Sequence, residues 1–298
     1  MSPSGSGTVH VLGEVMVDTV AHIAEPLARD SDTPAAIADV EGGSAANTAA
    51  WLATEGVPVD LIASVGADDL GDRALARLAE AGVHLSVSRH PTLPTGRCVV
   101  IVGADGERTM LPDPGANAVI LPGDIDTEGW AIGDHLHVSG YSLMRSSARE
   151  AALAALAAAR DLSLSVSLDA SSAEPLRATG PERFLSTCLP GDILFANVDE
   201  AAVLSGSTDP GGAATALAAR GLTAIVKAGA AGAFAAAEGR HWHVPAVPVG
   251  QVLDTTGAGD AFAAGFLAAW RVQADVADAL EGATRLAARA LTRWGARP

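Results

Sequence analysis

At 298 residues, with 49% hydrophobic and 18% charged side chains, the chain can hold one large globular domain or two small ones, and it is too apolar to be disordered. Its formal net charge of −16 excludes a general binder of nucleic acid or of anionic membrane, because both need basic surface. Cys98 and Cys188 stand far apart and outside metal-ligand spacing, as in a reduced, cytoplasmic protein. Met1 to Thr8 lacks the basic and apolar regions of a signal peptide, and no charge-free run of about twenty apolar residues predicts a membrane span.

Val9 to Leu12 predicts a buried strand ending at Gly13, and residues 22–41, with Pro26 and Pro34, predict exposed strands or a flap. Helix Ala45 to Thr54 follows Gly42-Gly43; strand Val59 to Val65 and helix Arg73 to Ala81 come next. Gly96 to Val102 and Arg108 to Leu111 flank Gly103-Ala104-Asp105-Gly106, a hairpin signal. From residue 135 the patterns alternate. Strands are expected at Leu136 to Val138, Leu164 to Leu168, Ile193 to Ala196, Ala224 to Val226 and Ala233 to Ala236. Helices are expected at Ala148 to Ala159, Glu200 to Leu204, Ala213 to Ala219, Ala261 to Trp270 and Val276 to Thr292. Such alternation calls for a parallel sheet covered by helices on both faces, with ligands at the carboxyl ends of the strands.

The most informative stretch is Asp254-Thr255-Thr256-Gly257-Ala258-Gly259-Asp260. A small-residue turn between two carboxylates runs into a helix, and unpaired N–H groups at such a turn favour phosphate. An aspartate at the rim of a phosphate site would suit proton removal from an attacking hydroxyl; the competing reading is a helix cap. Gly42-Gly43-Ser44-Ala45-Ala46-Asn47 suits close approach of a polyhydroxylated ligand, or is a tight turn. Asp18 could accept sugar hydroxyls or be a solvated loop acid. Asn197 and Glu200 fit either water around a phosphate-bound Mg²⁺ or a capping box. Lys227 to Gly232 follows a strand and suits either a nucleotide or a plain hairpin, but Ala228 after Lys227, the chain's only lysine, excludes a Walker motif. The pairs His135/His137 and His241/His243 have no partners that make a zinc pattern.

Taken in order, these clusters closely resemble the ribokinase-like, or PfkB, family of carbohydrate and nucleoside kinases. Gly42-Gly43…Asn47 resembles its first signature, Asp254 to Phe262 its second, and Asn197…Glu200 its magnesium motif. The resemblance implies an α/β ribokinase-like three-layer sandwich over 1–298, with a central mostly parallel sheet and a small β-sheet lid from about 16–41 and 95–112. It implies an ATP-dependent phosphotransferase acting on an alcohol, with Asp260 as base and Gly257, Ala258 and Gly259 as the anion hole. Asp18, Gly42, Gly43, Asn47 and Asp254 match substrate-binding positions. Asn197, Lys227, Gly229, Gly232, Gly259 and Thr284 match nucleotide positions. Asn197 and Glu200 would hold Mg²⁺ through water, while Asp254, Thr256 and Gly295, with Ala290 and Arg293 nearby, match a K⁺ site.

The expected acceptor is the hydroxymethyl group of a ribose-like or other monosaccharide. Ser44, Ala45 and Gly140 depart from the ribokinase pattern. A nucleoside kinase for adenosine or pseudouridine is the alternative, disfavoured by the few aromatic rings; a non-catalytic sugar sensor is a more remote one. The edges of the lid sheet would allow a homodimer.

Overall fold

The computed structural model describes residues 7–104, 108–273 and 275–298. Strands are β1 (Val9–Leu12), β2 (Met16–Ile23), β3 (Ala35–Gly42), β4 (Val59–Gly66), β5 (His84–His90), β6 (Gly96–Val102), β7 (Arg108–Asp113), β8 (His135–Ser139), β9 (Ser165–Asp169), β10 (Ile193–Asn197), β11 (Thr223–Lys227), β12 (Ala233–Ala237) and β13 (Arg240–Val244). Helices are α1 (Ser44–Thr54), α2 (Asp69–Glu80), α3 (Gly140–Met144), α4 (Ser146–Asp161), α5 (Ala173–Thr179), α6 (Pro181–Leu185), α7 (Val198–Ser205), α8 (Pro210–Ala218), α9 (Ala258–Gln273) and α10 (Val276–Leu291).

A nine-stranded sheet runs β13-β12-β11-β10-β9-β8-β1-β4-β5. Every pair from β5 to β11 is parallel, and the crossovers between them supply the helices. β12 and β13 join antiparallel, because only the short turn 228–232 links β11 to β12. Val9 and Val11 of β1 enter a core with α1, α2, α9 and α10, whereas Leu12 enters one with α4, α7 and α8. Period-2 alternation therefore divides the molecule into three layers. The strand order reverses at β1, with β4 on one side and β8 on the other, and the crevice above such a reversal is where ligands bind.

The second sheet, β3-β2-β6-β7, explains residues 16–41 and 95–112. Its cross-strand rows sort the two faces: Asp18, Cys98 and Pro112 share one, and Thr19, Val99 and Leu111 the other. The described part of the 103–106 turn stops at Ala104, so the hairpin tip lies outside the described residues.

Several elements were not foreseen from the sequence. β5 and β13 are edge strands with polar alternation (His84-Leu85-Ser86-Val87; Arg240-His241-Trp242-His243), and α3, α5 and α6 are too short for a helical period to show. The histidines of β8 are interior groups: His135 bonds Ser165 and Ser167, and His137 bonds Ser167. Burial holds the His137 imidazole down at about 4, so it is neutral at pH 7. Among the described residues there is no cluster of potential metal-binding side chains and no helix long and apolar enough to cross a membrane.

Helices α9 and α10 cross where Gly265 meets Gly282: a Cβ on Gly265 would lie 2.7 Å from the Gly282 carbonyl oxygen and 2.9 Å from Leu286 Cβ. We predict that Gly265→Val destabilises the protein by about 1–3 kcal/mol through overpacking. Gly250→Ala, at a position with nothing within 4 Å, should change stability by less than about 0.5 kcal/mol. Denaturant unfolding of both variants checks the pair, and equal midpoints would contradict this packing.

Candidate active site

A cleft of about 790 Å³ opens between the carboxyl ends of the large sheet and the small sheet. Its floor is the turn leading into α9. Gly257 has φ +74, and a side chain there would collide with the Ala296 carbonyl, so only glycine fits. Gly257, Ala258 and Gly259 all line the cleft at the N-terminus of α9; the Ala258 N–H reaches the Thr255 carbonyl at 3.3 Å, and the remaining free N–H groups of this first turn, with the helix dipole, create a site for an anion.

Asp260 lies in the first turn of that helix. Its Oδ1 accepts from Ser44 Oγ and its Oδ2 from Asn47 Nδ2, both at 2.8 Å. Burial pushes its carboxyl up to about 6, against the opposing effect of these two hydrogen bonds. Ser44 and Asn47 sit on α1, which starts here because Gly43, at φ +94, passes so close to the Glu14 carbonyl that no Cβ fits. Arg297 donates to Asn47 Oδ1 at 3.2 Å and to the Gly42 carbonyl at 2.7 Å. With its oxygen thus engaged, Asn47 turns its NH₂ toward Asp260.

Asp18 reaches the same cleft from β2, and burial lifts its carboxyl to about 6. Gly42 does not line the cleft; a Cβ there would strike the Asp18 carboxylate at 2.5 Å, so this glycine makes room for Asp18. Glu14 is buried, accepts from Ser139 Oγ at 2.9 Å, and has its pKa raised by burial.

The other half of the cleft follows β9 to β12. Lys227 Nζ bonds Asp169 Oδ2 at 2.7 Å and lies 3.4 Å from where a Cβ on Gly259 would stand. Burial disfavours its charge, but Asp169 and Glu200 outweigh that and raise its pKa. Asn197 and Glu200 form a full capping box: Asn197 N–H and Nδ2 donate to the Glu200 carboxylate at 2.8 Å each, and Glu200 N–H donates to Asn197 Oδ1 at 2.9 Å. Both residues also line the cleft, and burial lifts Glu200 to about 7. Gly229, Gly232 and Thr284 complete this wall.

Asp254 stands behind the turn, not on the cleft wall. It accepts from Thr256 N–H at 2.9 Å, Thr256 Oγ1 at 2.7 Å and Gly295 N–H at 3.1 Å. Arg108, from β7 of the small sheet, clamps Asp254 at 2.7 Å and Thr256 Oγ1 at 2.6 Å. Burial would raise the Asp254 pKa, but these hydrogen bonds and the guanidinium bring it below the usual range.

The structure thus brings Asp18, Gly43, Asn47, Asn197, Glu200, Lys227, Gly229, Gly232, Thr256 to Asp260 and Thr284 onto one cleft, and leaves Gly42, Asp254 and Gly295 behind it. Sequence reasoning missed Asp169, Tyr141, Arg145 and Arg297. Asp169 ends β9 and Tyr141 follows β8 by two residues, and that position at a strand's carboxyl end was the available signal; Arg145 and Arg297 had none. Tyr141, the chain's one tyrosine, also lines the cleft.

Residues 7–298 match the model of the pfkB family of carbohydrate kinases. An ATP-dependent ribose-1-phosphate kinase of Halopiger xanaduensis is 36% identical over 260 residues, covering 86% of this chain and 82% of that one. A fructokinase of Klebsiella pneumoniae is 32% identical over 273 residues, covering 88% and 84%. The crystal structure of adenosine kinase from Sinorhizobium meliloti superimposes with a TM-score of 0.89 at 26% identity, covering 99% and 96%. The cleft, its glycine turn and these relatives agree: the chain belongs to the pfkB family of carbohydrate kinases, phosphotransferases that act on an alcohol group of a sugar or nucleoside.

Proposed function

We propose that the protein transfers the γ-phosphoryl group of ATP to a hydroxymethyl group of a small, ribose-like or other monosaccharide, with Asp260 as the base. The observation that carries this reading is the position of Asp260. Its carboxylate is oriented by Ser44 and Asn47 on the acceptor side and stands beside the Gly257–Gly259 turn on the phosphate side. A hydroxyl between the two would give its proton to Asp260 as its oxygen attacks phosphorus. The amides of the turn would meet the charge on the phosphoryl oxygens. Asp18, Gly43 and Asn47 would bind the remaining hydroxyls, and Asp254 would act on substrate through the turn it braces.

Nucleotide would lie along Lys227, Gly229, Gly232 and Thr284. Mg²⁺ fits the oxygen-only donors here: Asn197 and Glu200 would hold it through water, and the ion would offset phosphate charge. Asp254, Thr256 and Gly295, already gathered by hydrogen bonds, would order a K⁺ ion behind the turn. The small sheet would serve as a lid that excludes water, and its outer face, with exposed Ile37, Val99 and Leu111, would accept a second copy of the chain. A nucleoside acceptor is the second reading, and Tyr141 on the cleft wall is what favours it.

Asp260→Asn should lower kcat by about 10²–10⁴-fold while acceptor binding persists, as measured by ADP release and by calorimetry. Full activity in this variant would remove Asp260 as base, and a panel of sugars and nucleosides that releases no ADP from the wild type would refute the kinase reading. Because burial raises Asp260 to about 6 and only its ionised form accepts a proton, kcat/KM should fall tenfold per pH unit below about pH 6 and level off above it. Arg297→Met frees the Asn47 amide to rotate, and kcat/KM should drop roughly 10- to 100-fold through misplacement of Asp260. Arg297→Lys should restore part of the loss, and a methionine variant of wild-type activity would show that Asn47 needs no such support.

A further inference from the structure

We propose that Arg145 is an anion-binding residue of the acceptor site, and that the acceptor carries a phosphate or carboxylate remote from the hydroxyl it presents to Asp260. The inference rests on the kinase reading above and narrows its substrate class.

Arg145 joins α3 to α4 in an extended conformation, φ −95 and ψ 129, and lines the cleft. Its helices follow β8, the strand beside β1 at the reversal of strand order. Glu14, at the end of β1, and Asp18, on β2, face the same half of the cleft, while Lys227, Gly229 and Thr284 lie toward the β11–β12 side. Arg145 is therefore on the acceptor side. Its guanidinium carbon stands 5.5 Å from the centre of the Tyr141 ring, which supports the group from one face and leaves its in-plane donors available.

The other cations near the cleft are committed. Lys227 is bonded to Asp169, Arg108 to Asp254 and Thr256, and Arg297 to Asn47 and Gly42, with its remaining Nη1 buried. Arg145 differs: among the described residues its guanidinium forms no hydrogen bond and no ion pair. Its charge offsets the burial of Glu14 more than the single Ser139 hydroxyl does, but it acts at a distance and occupies none of the guanidinium donors. An acceptor bearing only hydroxyls would find its partners in Asp18, Asn47 and Ser44 and would leave Arg145 unused. A phosphate or carboxylate entering a cleft lined by Glu14, Asp18 and Asp260 needs a cation within reach, and the forked guanidinium matches either group with paired hydrogen bonds.

Matched acceptors test this: ribose, ribose 1-phosphate and ribonate, then fructose, fructose 1-phosphate and gluconate, each assayed for ADP release with wild type, Arg145→Gln and Arg145→Lys. One anionic acceptor should exceed its neutral counterpart by at least 100-fold in kcat/KM, and the phosphate and carboxylate arms show which anion is meant. Arg145→Gln should cut that preference at least 30-fold through the KM of the acceptor, and Arg145→Lys should recover part of it. A neutral sugar that matches or beats every anionic one overturns the proposal, as does a glutamine variant that lowers both classes equally or raises the KM of ATP instead. Calorimetric binding of the same compounds without ATP reads Arg145 independently of turnover. A binding preference that Arg145→Gln abolishes, with no ADP from any acceptor, would keep the anion site and refute the kinase reading. Turnover of sugars without such a preference would do the reverse.

Discussion

A carboxylate drawn back from bulk water at the start of one helix and oriented by donors from another, distant in sequence, is the constraint around which the cleft is built. Removing Asp260 from solvent penalises its charge, and two neutral donors, Ser44 Oγ and Asn47 Nδ2, recover part of that penalty. Both come from α1, so the helix must start at one place and point one way. That start depends on Gly43 passing against the Glu14 carbonyl, which in turn accepts the Ala46 N–H at 3.2 Å. Ser44 on α1 and Asp260 at the start of α9 are 216 residues apart in sequence, and this carboxylate holds the two helix starts to one geometry.

The segment after α10 closes the arrangement from behind. Ala296 packs against Gly257, and its carbonyl accepts the Trp51 Nε1–H at 2.9 Å. Arg297 then enters the protein interior, a costly placement for a guanidinium, and burial draws its pKa down to about 10. Its Nη1 finds no hydrogen-bond partner among the described residues. The cost is offset by hydrogen bonds to Asn47 and Gly42 and by the nearby charges of Glu41, Asp18 and Asp260. An arginine retained under those terms is better explained by the orientation of Asn47 than by stability, since an apolar side chain would fill the same space at lower cost.

Long periodic segments were legible in the sequence because their period is set by the layers they face: α1, α4, α9 and α10 each present an apolar stripe to the sheet, and β10 and β11 carry continuous apolar runs, Ile193 to Ala196 and Ala224 to Val226, covered on both sides. β5 and β13 were not legible, because an edge strand exposed to water need not be apolar and reads like a loop. The site divides along the same line. Asp260, Gly43 and Asn197 stand in short local patterns whose spacing alone reflects the turn they make. Arg297, Arg145 and Asp169 take their meaning from residues far away in the chain, and a lone arginine carries no such context. Asn197 and Glu200 show a further limit: the capping box and the metal motif require the same spacing, and the structure has the cap without deciding against the ion.

The charge balance of the cleft ties these features together. Glu14, Asp18, Asp169, Glu200 and Asp260 converge there, in a chain that carries −16 overall, and a nucleotide polyanion must still enter. Fixed side-chain cations are not the main answer, since Lys227 is the only lysine and Asp169 holds it. Backbone N–H groups at the start of α9 can meet phosphate oxygens without adding a titratable charge, so the positive potential stays the same while Asp260, Asp18 and Glu200 gain or lose protons near neutrality. Such separation suits the proposed reaction, in which Asp260 would change its protonation. A cluster of lysines in place of the glycine turn would bind phosphate as well, but it would hold the Asp260 carboxyl low and weaken it as a base. On the proposed reading, the scarcity of cations and the glycine turn are two sides of one solution, in which a dipole would bind the phosphate and leave the carboxylate free to take the proton.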